Sequence, residues 1–187
     1  MLPFKHTPTK KELLTINPKK LKIFRDILNE KKYRVADTGL SYRKINSLGG
    51  NKILIDNRND GRGWRKFSYK ELLVISIIKE LRLIGFIDEK LENLRDLFFK
   101  KTNENSSDFA IMLAHLGIKT TLIITFEDKG FIYDLVGFEI KKDEGRKSYI
   151  SVNINKIIEE LRKTTGEINM DMNEIIIHAK NKDCVKK

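Results

Sequence analysis

One cysteine, Cys184, is all the thiol chemistry in the 187 residues. A lone thiol closes no intrachain disulfide and builds no cysteine-based zinc site, so a reducing, cytoplasmic interior is the expected setting. Histidine is almost as scarce: His6, His115 and His178 lie far apart in the sequence. A packed or surface role suits each better than metal ligation. Long apolar runs are also missing. The run 72–78 is too short for a bilayer span, and the first residues hold no apolar core of the kind a secretory leader needs. No membrane association is expected. There is no internal repeat and no long low-complexity tract. No glycine-rich phosphate loop, nucleophile elbow or metal-ligand cluster can be found. The acidic pairs Glu127-Asp128 and Glu159-Glu160 fall where a turn and a helix face are expected. The sequence therefore gives no reason to expect an enzyme, a cofactor or a bound metal.

Positive charge is what the chain has in excess. The formal net charge is +11 and the pI about 9.6, which favours a polyanionic partner. Residues 1–100 hold 23 Lys and Arg against 12 Asp and Glu, whereas residues 101–187 hold 14 of each. All of the excess lies in the first half. This asymmetry predicts two modules, one of which meets nucleic acid.

Residues 1–17, punctuated by Pro3 and Pro8, read as a basic and flexible arm. Asn17-Pro18 is a helix-start signal, and Leu21, Phe24, Ile27 and Leu28 recur at helical spacing, predicting a core-covering helix over about 18–30. A short helix follows, capped by Ser41 and stopped by Gly49-Gly50. Leu40, Ile45 and Leu48 turn inward on it, and Tyr42, Arg43, Lys44 and Asn46 turn outward. Outward Arg, Lys and Asn suit base edges in a major groove, although an ordinary solvated face has the same composition. Residues 53–67 then read as a β-hairpin: an apolar arm at 53–55, a tip rich in Asn, Asp and Gly, and a return arm Trp64-Arg65-Lys66-Phe67. It carries Arg58, Arg62, Arg65 and Lys66, placed to lie along a phosphate backbone.

Ser68-Tyr69-Lys70-Glu71 is a capping box that opens an apolar helix over about 69–84, ended by Gly85. A second helix over about 88–101 begins at Asp88 and carries Leu91, Leu94, Leu97 and Phe98 on one face. Residues 102–107 read as a polar linker. Beyond it come a helix over 108–118, strands over 120–126, 131–140 and 148–154, and a helix over 155–165 capped by Asn155. Residues 170–180 are ambiguous between strand and helix, with strand slightly favoured, and 181–187 read as a frayed tail. The second half is thus expected to be α+β around a small antiparallel sheet.

Four pieces occur in a set order: Gly39-Leu40-Ser41-x-Arg43-x-Ile45, Asp56-x-Arg58, Gly63-Trp64-Arg65-x-Phe67-Ser68, and Ile78-x-x-Leu81-Arg82-x-x-Gly85-Phe86. Over about residues 33–100 this order resembles the winged-helix domain of the MerR family. There a Gly-Val-Ser-x-Arg-x-Leu recognition helix precedes an arginine-bearing wing with Gly-Tyr-Arg-x-Tyr and a helix ending Leu-Arg-x-x-Gly-Phe. The resemblance implies that Arg43 is the recognition-helix arginine, that Arg58 and Arg65 approach phosphates, and that Trp64 and Phe67 hold the wing's two aromatic positions. The chain departs from the pattern in three places, the first being Asn46 and Ser47, which stand where larger polar or aromatic residues are usual in the family. Residues 33–37 leave little room for the family's first helix, and no heptad pattern follows residue 101.

The expected fold is therefore α+β, a MerR-like winged helix over 18–101 and a dimerisation or effector domain over 108–180. The expected function is that of a sequence-specific DNA-binding transcriptional regulator. Its double-stranded DNA site would meet Ser41, Tyr42, Arg43, Lys44, Asn46, Arg58, Arg62, Trp64, Arg65 and Lys66. A homodimer is expected, with an effector at the second half left open. The alternative is an architectural or recombination accessory protein of the excisionase type, and a third reading keeps the winged helix for protein contacts alone.

Overall fold

The capping box at residue 68 begins the helix on which the rest of the chain packs. In the computed structural model, which describes residues 18–50, 53, 54, 56, 58, 63–87, 91–100, 106–127, 130–137, 148–166 and 168, the Ser68 N–H donates to Glu71 Oε2 at 2.7 Å and the Glu71 N–H donates to Ser68 Oγ at 3.2 Å. Two of the N–H groups orphaned at the helix start are thereby satisfied. The architecture of the described residues is α+β. It comprises six α-helices, a 3-10 helix and a three-stranded antiparallel sheet: α1 (Pro18–Asn29), the 3-10 helix Val35–Thr38, α2 (Tyr42–Gly50), α3 (Tyr69–Leu83), α4 (Glu92–Phe99), α5 (Ser106–His115), β1 (Thr120–Glu127), β2 (Gly130–Gly137), β3 (Tyr149–Asn153) and α6 (Ile154–Thr165).

Helix α3 is buried on nearly every side. Leu72, Leu73, Val74, Ile75, Ile77, Ile78 and Leu81 are all fully covered, and Lys70 and Glu71 in its first turn are buried too. A helix apolar all round must be enclosed by other elements, and α1, α4, α6 and the 3-10 helix enclose it. Its exit is a tight wrap in which the Phe86 N–H donates to Leu81 O at 3.0 Å around Gly85, whose φ is 90°.

In the sheet β1 is central, in the order β2-β1-β3. The register pairs Leu122 with Leu135 and Val152, and Ile124 with Tyr133 and Ile150. The period of two puts all six on the face that meets the core. Helix α6 follows β3 without a loop. Its cap is Asn153, whose Oδ1 accepts from the Lys156 N–H at 3.2 Å, and not Asn155. Asn155 instead clamps the α5–β1 connection: its Oδ1 accepts from the Thr120 N–H at 2.7 Å, and its Nδ2 donates to Ile118 O and Ala114 O at 2.8 and 3.2 Å. An asparagine two residues further along serves the neighbouring loop, and spacing alone does not separate the two roles.

One apolar cluster runs from Phe24 through α3 to Leu161, so the two halves share a core. The expected linker is shorter than its sequence suggests, since Ser106 and Ser107 already belong to α5. Charge also crosses this joint. Buried Asp108 on α5 takes Lys70 Nζ of α3 at 2.6 Å and Arg25 Nε of α1 at 3.1 Å. Nearby, His115 stacks edge-on to Phe24 and tilts against Tyr69, at centroid distances of 5.7 and 5.3 Å. Arg162 of α6 donates to both His115 Nδ1 and His115 O at 3.1 Å. Since arginine only donates, the His115 proton sits on Nε2. Burial, with Arg162 beside it, holds the imidazole pKa down to about 3. His115 is thus a packed core histidine. The expected arm 1–17, Asp88, the loop 141–147, the segment 170–180 and Cys184 lie outside the described residues.

Candidate nucleic-acid interface

Helix α2 has the two faces its sequence predicts. Ile45 and Leu48 are fully buried, while Tyr42, Arg43, Lys44 and Asn46 are exposed. Ser41 is exposed and begins the helix, its Oγ accepting from the Lys44 N–H at 3.4 Å. The helix does not stop before Gly49-Gly50 but runs through both. A Cβ on Gly49 would stand 3.1 Å from Arg65 Nη1. Glycine at this position admits the guanidinium against the end of the helix.

Residues 53–67 differ from the expected hairpin ladder. Ile53 and Leu54 are buried, and their N–H groups fold back onto Leu48 O. Residues 55, 57 and 59–62, including Arg62, lie outside the described residues. The return arm pairs with the chain before the 3-10 helix. Tyr33 and Phe67 form an antiparallel bridge, with N–H to O distances of 3.0 and 2.8 Å. Phe67 is core, and Trp64, at 89% exposure, stands in solvent.

The arginines divide by role. Arg58 was expected on phosphates, yet it is largely engaged within the molecule. Its Nε and Nη2 hold the two oxygens of Asp56 at 2.9 and 2.6 Å, and Nη1 donates to Tyr42 Oη at 2.8 Å and to Gly63 O at 3.2 Å. At most one of its five N–H donors is left for a ligand. The Arg58 hydrogen bonds hold the Asp56 carboxyl well below the usual carboxylate range, and Asp56 and Tyr42 in turn push the Arg58 pKa up. Arg58 is a strut that fixes the N-terminal end of α2 to the base of the loop. Arg65 departs further from the expectation of a phosphate clamp. It is 4% exposed, with its guanidinium carbon 5.2 Å above the Phe67 ring and its Nη1 beside Gly49. Burial lowers its pKa, opposed by Asp56 and Glu71. It braces the return arm against the end of α2.

The outward set is therefore Tyr42, Arg43, Lys44 and Asn46 on α2, with Trp64 and Lys66 on the return arm. Arg34 joins them, exposed at the entry to the 3-10 helix and lining one cleft with Trp64 and Lys66. The sequence reading passed over Arg34 because its neighbour Tyr33 pairs with a residue more than thirty positions away. Asp56 was visible as a motif residue, but its part as the partner of Arg58 was missed. Such an i, i+2 Asx turn is a local signal that sequence reading can use. The described residues hold no cluster of three or more His, Cys, Asp or Glu able to hold a metal, and no helix among them is long and apolar enough to cross a membrane. Comparison of the chain with family models, curated proteins and solved structures finds no match.

Proposed function

We propose that this protein is a sequence-specific, double-stranded DNA-binding transcriptional regulator. Helix α2 enters the major groove, and the segment after it serves as a wing of the kind the MerR resemblance implies. The observation that carries the reading is the Tyr42–Arg58–Asp56–Gly63 network. It locks the N-terminal end of an outward cationic helix to the base of a basic loop, so that the two present one rigid edge. Preorganised edges lose less ordering entropy on binding. In this arrangement Arg43 and Asn46 read bases, while Lys44 and Lys66 contact phosphates. The neutral second half supports a homodimer, because β2 and β3 are the outer strands of the described sheet and offer pairing edges to a second copy. Two copies would then read a two-fold symmetric site. The test is a mobility-shift selection from a genomic fragment library, repeated with Arg43→Ala. Recovery of one sequence by the wild type, and loss of that preference in the variant, is the expected result. A wild type that retains no fragment above background at low salt would sink the assignment.

A further inference from the structure

Between the 3-10 helix and the return arm lies a cleft of about 470 Å³, lined by Arg34, Val35, Ala36, Trp64, Arg65 and Lys66. Its volume falls within the usual range for small-ligand sites. Val35 and Ala36 supply an apolar wall, and the indole of Trp64 supplies another that is 89% exposed. That indole makes no ring contact with any described residue. The rim is cationic. Arg34 and Lys66 are exposed, and neither side chain has an ion-pair partner among the described residues. Asp37 is the acid on the adjoining 3-10 helix, and its Oδ2 accepts from the Arg34 N–H at 2.7 Å.

Two requirements follow for an occupant: a flat apolar ring to lie against the indole, and negative charge beside it. An acidic peptide meets the second and leaves the indole bare. A base inside a perfect duplex meets the second through its phosphates, but its faces are covered by its neighbours. A base out of the stack meets both, since every nucleobase has a π-face and its nucleotide is flanked by backbone phosphodiesters. We propose that this cleft takes one unpaired base of a DNA strand, stacked on Trp64, with the adjoining phosphates on Arg34 and Lys66. The proposal rests on the DNA-binding reading above and adds that one strand is engaged with a base out of the helix.

Trp64 is the sole tryptophan among five tyrosines, so indole emission, excited beyond the tyrosine absorption band, reports on this cleft alone. The probes are a labelled duplex with a single-base bulge, the matching perfect duplex, a twelve-nucleotide single strand, adenosine monophosphate and a poly-glutamate peptide. Label anisotropy reports binding independently of the indole. Strong quenching by the bulged duplex and the single strand, with little from the perfect duplex, is expected. Trp64→Leu should lower affinity for the bulged duplex by roughly ten- to a hundredfold and remove its advantage over the perfect duplex, with partial recovery in Trp64→Phe. So exposed an indole buries little in the fold, and both variants should keep the wild-type circular dichroism. DNA bound by anisotropy with unchanged emission, or equal quenching by the perfect duplex, overturns the proposal. So does saturation by the mononucleotide or the peptide at the same concentration. Failure to bind any DNA strikes the DNA-binding reading itself, and the anisotropy channel separates the two failures.

Discussion

Charged side chains meet two fates in this chain. At the joint between the halves, Lys70, Asp108 and Arg25 are drawn together around a buried carboxylate, and within the first half buried Glu71 takes Lys31 Nζ at 2.5 Å. On the outer edge, Arg43, Lys44 and Lys66 stand in solvent. Arg58 and Arg65 lie between these regions and belong with the first by their contacts, although they are next to the second in sequence. Net charge alone does not distinguish a cation that holds the fold from one that meets a partner. What differs is the cost of removing the counter-charge. In the joint, a lone charge is stranded away from water; on the edge, water takes over.

The joint should therefore dominate the stability response. Asp108→Ala leaves Lys70 buried beside Phe99 with no carboxylate, and a broken buried pair costs about 3–5 kcal/mol. Urea unfolding should show that loss. Pairing Asp108→Leu with Lys70→Met should recover most of it, because burying no charge is better than burying one. If Asp108→Ala shifts the midpoint no more than a surface substitution, the contrast between joint and edge is lost.

Acid should attack the same joint through His115. The imidazole pKa is about 3 in the fold against 6.5 unfolded, so between these values the unfolded chain binds the additional proton. Stability is thus full above the unfolded pKa and falls as pH drops below about 6.5, down to the folded value. The linkage gives a loss of about 2 kcal/mol by pH 5. Unfolding free energies measured from pH 7 to 4.5 should show this slope, and His115→Phe should flatten it. A variant with the wild-type slope would move the acid sensitivity to another group.

How much of this contrast was legible in the sequence depends on distance along the chain. The cap at Ser68, the inward Ile45 and Leu48, and the hairpin strands of the sheet are local patterns, and periodicity found them. The common core was not legible. It depends on Phe24, Tyr69 and His115 meeting across more than ninety residues, and the charge asymmetry of the two halves pointed the other way. The buried state of Lys70 and Glu71 was hidden for a related reason, since charges in a first turn usually face water. Arg65 was misplaced because a basic residue between Trp64 and Lys66 reads as part of an outward strip. Only the closeness of Gly49, and the Phe67 ring beneath, show why it turns in.

On the edge, Arg58 offers a sharper cut than any exposed cation. Arg58→Ala frees Tyr42 and the loop base together, so DNA affinity should fall about tenfold or more even though at most one donor is left for DNA. Arg58→Lys should not restore it, because an ammonium cannot hold both oxygens of Asp56 and reach Tyr42 in the same plane. Anisotropy titrations of both variants decide. Recovery by lysine would mean that Arg58 acts through charge alone and that the strut is incidental.

The smallest effect expected is also the most specific to this edge. A cation that neutralises one phosphate releases counterions, and each such contact contributes about 0.9 to the slope of log affinity against log salt. Lys66→Ala and Lys44→Ala should each reduce that slope by about 0.9 and weaken binding evenly across sequences. Arg65→Ala, by contrast, should leave the slope nearly intact while lowering stability, because its guanidinium packs on Phe67 and the end of α2 and not on the exposed rim. The slope thus separates two neighbouring cations that affinity alone would confuse. If Arg65→Ala lowers the slope as much as Lys66→Ala does, then Arg65 turns outward on DNA, and the boundary between bracing and contacting residues lies one position earlier.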